Sequence, residues 1–119
     1  MGNQNLYDEY HKRRSEGNIK ISEAKSLDFN RFIALDTKAY AEGEIPAKYK
    51  ELMGLVGSMV LRCNDCILYH IEAASKAGCT KKELLETMNI ALVIGGSVVI
   101  PSLRTALTAL DELEQKTND

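Results

Sequence analysis

Glu51-Leu52-Met53-Gly54-Leu55-Val56-Gly57-Ser58-Met59-Val60-Leu61-Arg62-Cys63-Asn64-Asp65-Cys66-Ile67-Leu68-Tyr69-His70 is the run whose reading decides the fold. Tyr49, Leu52, Met53, Val56, Met59 and Val60 recur at i, i+3, i+4, i+7 and predict one amphipathic helix. Asn64 is a good N-cap and Asp65 a good first-turn residue for a following helix, which stops at Gly78 and turns Ile67, Leu68, Ile71 and Ala74 inward. Residues three and four apart share a helix face, so Cys66 and His70 stack one turn apart while Cys63 is close enough to bond to Cys66. A first-turn position exposes Cys66 to free N–H groups and the positive end of the helix dipole, which favour a thiolate. Glu51 lies twelve residues before Cys63. On one unbroken helix that interval spans about 18 Å, so Glu51 reaches this site only if the chain folds back between Leu61 and Asn64. In such a hairpin Glu51 meets His70, fixing the tautomer of the imidazole and supporting proton pickup at its other nitrogen.

Outward from this run, apolar residues keep helical spacing almost everywhere and no alternating strand pattern is visible, which predicts an all-α chain of five to six helices. A polar first helix is expected over Asn5 to Ser15, with Gly17 to Lys25 as a connection. A second helix is expected from about Asp28 to Ala41, presenting Phe29, Phe32, Ile33 and Tyr40 and ending by Gly43. Pro46 suits the first turn of the third helix. Thr80-Lys81-Lys82-Glu83 is a capping box that opens a fifth helix through Leu84, Leu85 and Met88. No charged residue occurs from Met88 to Leu103, a stretch broken by Gly95, Gly96 and Pro101. It is too short and too interrupted for a membrane span. It reads as a buried seam, and a small domain needs a neighbouring subunit to cover it. A last helix from about Ser102 to Glu114 buries Leu103, Ala106, Leu107, Leu110 and Leu113.

At 119 residues the chain fits a single domain, 1–119, with a polar helical extension at about 1–25. Its 15 basic and 17 acidic residues are interspersed and give a net charge of −2, which offers no basic stripe for nucleic acid and no polybasic membrane anchor. Asn3, Gln4, Asn5 and the polar run Tyr7 to Arg14 lack the apolar core of a signal peptide. Three cysteines, an odd number, argue against a secreted disulfide framework, so a cytoplasmic protein is expected, in which CxxC means redox work or metal.

The spacing Glu51, eleven residues, Cys63-x-x-Cys66, three residues, His70 resembles the signature of the AhpD-like alkylhydroperoxidases of the carboxymuconolactone decarboxylase superfamily. The resemblance extends from Phe29 to Leu113 and takes in the Gly78 turn and the Gly95-Gly96 pair. It implies an AhpD-like helical bundle assembled as trimers or hexamers and a thiol-dependent peroxidase. Cys66 is then the attacking thiol, Cys63 resolves its sulfenic acid into a disulfide, and His70 with Glu51 relays the proton. The implied partners are a hydroperoxide substrate and a dithiol, such as a lipoyl group, or a thioredoxin-like reductant. Some members carry a second His directly before the second Cys. Asp65 stands there in this chain, and a carboxylate beside Cys66 opposes thiolate formation, so slow peroxidase chemistry is expected.

Other readings compete. Cys63, Cys66 and His70 could be three zinc ligands with Cys79, His11 or Glu51 as a fourth, although no second CxxC or HxxxH supplies a matching pair. The two thiols could be inert core residues of a structural oligomer. A decarboxylase acting on a small organic acid is the remaining alternative, with Arg62 and Arg104 as carboxylate contacts. Cys79, beside the Gly78 turn, reads as structural and His11 as a surface residue. No metal, nucleotide or flavin site is legible, so no cofactor is expected.

Overall fold

In the computed structural model, which describes residues 5–118 and side chains through residue 116, six α-helices and one 3-10 turn follow one another with no strand among the described residues. The first four residues of the expected amino-terminal extension lie outside this range.

Helix α1 (Leu6–Glu23) begins where the Asn5 side chain accepts the Asp8 N–H at 2.9 Å, with Asp8 and Glu9 in its first turn. It continues through Gly17, where the sequence predicted a connection. A mid-helix glycine costs only about 1 kcal/mol. No proline intervenes, and the chain leaves the helix only at Lys25, in the left-handed region at φ 51°. Tyr7 and Tyr10 of α1 are buried, and the Tyr7 hydroxyl donates to the Leu68 carbonyl at 2.7 Å. Burial pushes the Tyr7 phenol well above its ordinary range. The Glu112 carboxylate accepts the N–H groups of Leu6 and Tyr7 at 2.9 and 3.0 Å, so the start of α1 is pinned to the last helix.

Helix α2 (Leu27–Tyr40), capped by Ser26, buries none of its side chains. Phe29, Phe32 and Ile33 stand exposed, Phe32 to 69%. Helix α3 (Ala47–Val60) starts one residue after Pro46, which takes the N-cap place and not the first turn. Its buried face runs through Glu51, Leu55, Ser58 and Met59, while Tyr49 and Met53 of the predicted stripe are exposed. Met59 of that stripe is buried and Leu52, Val56 and Val60 pack partly buried against the core, so the expected face is kept in part and widened toward Glu51, Leu55 and Ser58. A search for apolar residues passes over Glu51 and Ser58, which the fold encloses as polar members of the same face.

The return from α3 is a compact turn: Leu61 N–H bonds Gly57 O, Arg62 N–H bonds Met59 O, Cys63 N–H bonds Ser58 O, and Arg62 takes φ 60°. Helix α4 (Asn64–Lys76) then packs beside α3, with Ile67, Leu68, His70, Ile71 and Ala74 buried. A Schellman closure ends it, with Gly78 at φ 99° and the Cys79 N–H on Ala74 O. Helix α5 (Lys81–Gly95) opens with the complete Thr80/Glu83 capping box. Glu83 also pairs with Lys48 at 3.2 Å, and the Thr80 N–H and this lysine hold its carboxyl below the usual range.

By length and composition the run Lys81–Lys116 passes for a membrane span, and its most apolar part, read from the sequence as a buried seam, is only 22% buried in the single chain. The run is not one rod. Gly96, at φ 77°, and the 3-10 turn Gly96–Val99 divide it into α5 and α6 (Ile100–Asn118). Ile90, Val93, Ile94 and Val98 lie on the surface of this seam, Val93 to 78%. The core itself is made by Leu55 and Met59 of α3, Ile67 and Ile71 of α4, Leu84 and Met88 of α5, and Val99, joined by Tyr7.

Candidate active site

The hairpin of α3 and α4 sets Glu51 against His70: Glu51 Oε1 lies 2.9 Å from His70 Nδ1, and each residue is only 8% exposed. The ring fits there because residue 54 is glycine. A Cβ at that position would stand 2.4 to 2.7 Å from three atoms of the imidazole, far inside contact distance. Gly54 is one turn past Glu51 on α3, so this helix supplies both the carboxylate and the gap that receives the ring. Two aromatic rings complete the enclosure, with Tyr40 at 5.2 Å and Tyr69 edge-on at 5.1 Å between centroids.

Cys63 and Cys66 are joined as a disulfide with their Cα atoms 5.3 Å apart. Cys63, and not Asn64, is the N-cap of α4, and its sulfur accepts the Cys66 N–H at 3.3 Å. Cys66 still falls in the first turn. It is exposed, whereas Cys63 is half-buried.

Cys66 and His70 open together on a cavity of about 320 Å³ between α1, α2 and α4, with Tyr10, Arg14, Asp36, Tyr40, Asp65 and Tyr69 as its other walls. The Arg14 guanidinium lies over the Tyr69 ring, 5.2 Å from its centroid. Tyr40 is pushed above its ordinary range, first by burial and then by the negative charge of Glu51.

The remaining sequence candidates lie elsewhere. His11 Nε2 meets both Glu72 oxygens at 3.0 Å. Cys79 is buried with its sulfur 3.8 Å from Lys48 O, and burial raises its thiol. Among the described residues no group of three or more His, Cys, Asp or Glu is placed to hold a metal ion. Arg62 and Arg104 are exposed and do not line the cavity; Arg14 is the arginine that does.

Sequence reasoning also passed over Gly54, Tyr40, Tyr69 and Arg14. A glycine inside a strongly apolar helix is a signal that something packs closely against it, and Gly54 could have been found that way. Arg14 and Tyr40 reach the cavity from positions 56 and 30 residues before His70 in the chain, a distance at which local spacing carries no information.

The family model for carboxymuconolactone decarboxylases matches residues 29–112. An uncharacterized protein of the cox locus of Paracoccus denitrificans is 27% identical over 89 residues, 75% of this chain and 79% of its own length. An uncharacterized Cupriavidus necator protein is 27% identical over 93 residues, 78% of this chain and 82% of its own. Among solved structures, a Thermotoga maritima protein of the carboxymuconolactone decarboxylase family, for which involvement in an antioxidative response has been suggested, superposes with a TM-score of 0.87 at 44% identity, covering 92% of this chain and 93% of that one. A Legionella pneumophila protein of the same family, solved in its apo form, gives a TM-score of 0.83 at 26% identity over 89% of this chain and 95% of its own. In line with the AhpD-like resemblance of its signature, the chain belongs to the carboxymuconolactone decarboxylase family.

Proposed function

We propose that the protein is a thiol-dependent peroxidase that reduces hydroperoxides through the Cys63–Cys66 pair. The observation that carries this reading is that one cavity holds both an exposed cysteine, bonded to its neighbour, and an imidazole backed by a buried carboxylate. In the reduced protein, the Cys66 thiolate attacks the distal oxygen of the hydroperoxide. The O–O bond breaks, and the leaving alkoxide takes a proton from the imidazole of His70. Glu51, on Nδ1, keeps Nε2 as the nitrogen that gives and regains the proton. Cys66 is now a sulfenic acid. Cys63 attacks its sulfur, water departs with one thiol proton, and the disulfide forms. Two electrons have passed from two thiols to the peroxide, and an external dithiol or a thioredoxin-like protein returns them. A cytoplasmic location suits this cycle, because that compartment keeps thiols reduced between turnovers.

Roles are assigned by exposure. Cys66 is the sulfur the cavity reaches, and Cys63 lies behind it, so Cys66 attacks and Cys63 resolves. A peroxide pulse followed by sulfenic-acid trapping tests this. Cys63→Ser should accumulate the trapped product at Cys66, and Cys66→Ser should give none. A label found only in Cys66→Ser would reverse the roles, and failure of the wild-type chain to consume peroxide with any dithiol would remove the activity.

The same reading includes a homo-oligomer, a trimer or hexamer. Helix α2 has no fully buried residue and leaves Phe29, Phe32 and Ile33 exposed, and α5 with its following turn leaves Ile90, Val93, Ile94 and Val98 in the open, apolar side chains of the kind that mark contacts between subunits. Light scattering should return a mass several times that of the single chain. A monomer at micromolar concentration would refute the assembly.

A further inference from the structure

Asp65 sits between the two sulfurs in sequence, and its carboxylate works against ionisation of the Cys66 thiol next to it. The fold answers that charge from far away. Arg13 of α1, 52 residues earlier, clasps both carboxylate oxygens: its Nε donates to Oδ2 at 3.2 Å and its Nη2 to Oδ1. This two-point fork holds the carboxylate in a fixed orientation, which a lysine's single point of charge would do less well. The hydrogen bond to Asp65 raises the guanidinium's own hold on its proton.

The groups facing Cys66 around the cavity are Tyr10 and Arg14 from α1, Asp36 and Tyr40 from α2, and Asp65, Tyr69 and His70 on its own helix, with Glu51 of α3 behind His70. The formal charges of Arg14 and Asp36 offset one another. Asp65 then leaves a negative charge at the cavity mouth, and among the described residues Arg13 forms an ion pair with it.

We propose that Arg13 is a positioning residue for the thiol chemistry: by pairing with Asp65 across the α1–α4 interface, it offsets the charge that opposes ionisation of Cys66. This rests on the reading of Cys66 as the attacking thiol. It makes α1 part of the reaction's electrostatics and not only of the core. Both side chains are about half exposed, 55% and 50%, so water and salt weaken the effect. A unit charge one residue away, so screened, moves a thiol by about half a pH unit.

The test uses the full chain, reduced, at low salt. The rate at which iodoacetamide alkylates Cys66 is followed against pH, with peptide fragmentation to separate Cys66 from Cys63. Arg13→Gln should raise the Cys66 midpoint by about half a unit, slowing alkylation about threefold at pH values below it. Arg13→Lys should stay near wild type. Adding Asp65→Asn to Arg13→Gln should return the midpoint to the wild-type value, a rescue that mere loosening of α1 would not give. An unchanged midpoint in Arg13→Gln, or a raised midpoint that persists in the double variant, would overturn the proposal. Alkylation involves no peroxide, so loss of the peroxidase reading would leave this result standing, and the two failures are told apart.

Discussion

Replacing Gly54 with alanine is expected to lower hydroperoxide turnover about 100-fold while leaving the protein folded. The added Cβ meets Cε1, Nε2 and Nδ1 of His70 at 2.4, 2.6 and 2.7 Å, and a rigid ring cannot yield as a flexible side chain would. The ring must move by about 1 Å to reach ordinary contact, and a displacement of that size in a catalytic group costs on the order of 100-fold in rate. Stability is the smaller effect. Overpacking costs about 1–3 kcal/mol, and alanine returns up to about 1 kcal/mol through its better helix propensity. Steady-state peroxide consumption beside a thermal melt separates the two: turnover should collapse while the melting temperature falls by only a few degrees. Normal turnover in Gly54→Ala would mean that the position of His70 is irrelevant to the chemistry.

Glu51→Gln is the second large effect. The amide fills the same volume and its oxygen can still accept a hydrogen bond from His70 Nδ1, so packing is kept and only the charge is lost. Positioned acid–base groups contribute about 100- to 10,000-fold. Because His70 remains and only its support is weakened, a loss of about 10- to 100-fold is expected, below that range and up to its lower limit. Glu51→Leu should be worse in both respects, because it leaves a buried imidazole N–H without an acceptor, a further cost of about 1–3 kcal/mol in stability. Rapid-mixing measurements of the peroxide step over a range of pH, with a melt for each variant, check both. Equal rates in wild type and Glu51→Gln would remove Glu51 from the relay.

What could be read from the sequence follows how far apart the cooperating residues lie. The CxxC pair and His70 share one helix, so period alone groups them, and the turn between α3 and α4 is the single fold-back needed to add Glu51. The Gly78 terminator and the Thr80 capping box are local chemistry and were equally readable. Three features were not. The end of α1 is not legible because Gly17 looks like a break, although a glycine without a neighbouring proline only weakens a helix. The buried face of α3 extends past the legible stripe of Leu52, Val56, Met59 and Val60 because two of its enclosed residues are polar. The contributions of Arg13, Arg14 and Tyr40 depend on where α1 and α2 lie in space, and the predicted face of α2 gave no hint that it would bury nothing.

One atom in this arrangement serves two masters. The sulfur of Cys63 accepts the Cys66 amide that begins α4, and it is also half of the covalent bond to Cys66 itself. Cleaving that bond turns a neutral sulfur into a thiol or thiolate, a stronger acceptor once ionised and no longer tethered to its neighbour. Gaining or losing two electrons therefore rewrites how this helix is started, and any partner that touches its amino end would meet a different surface in each oxidation state.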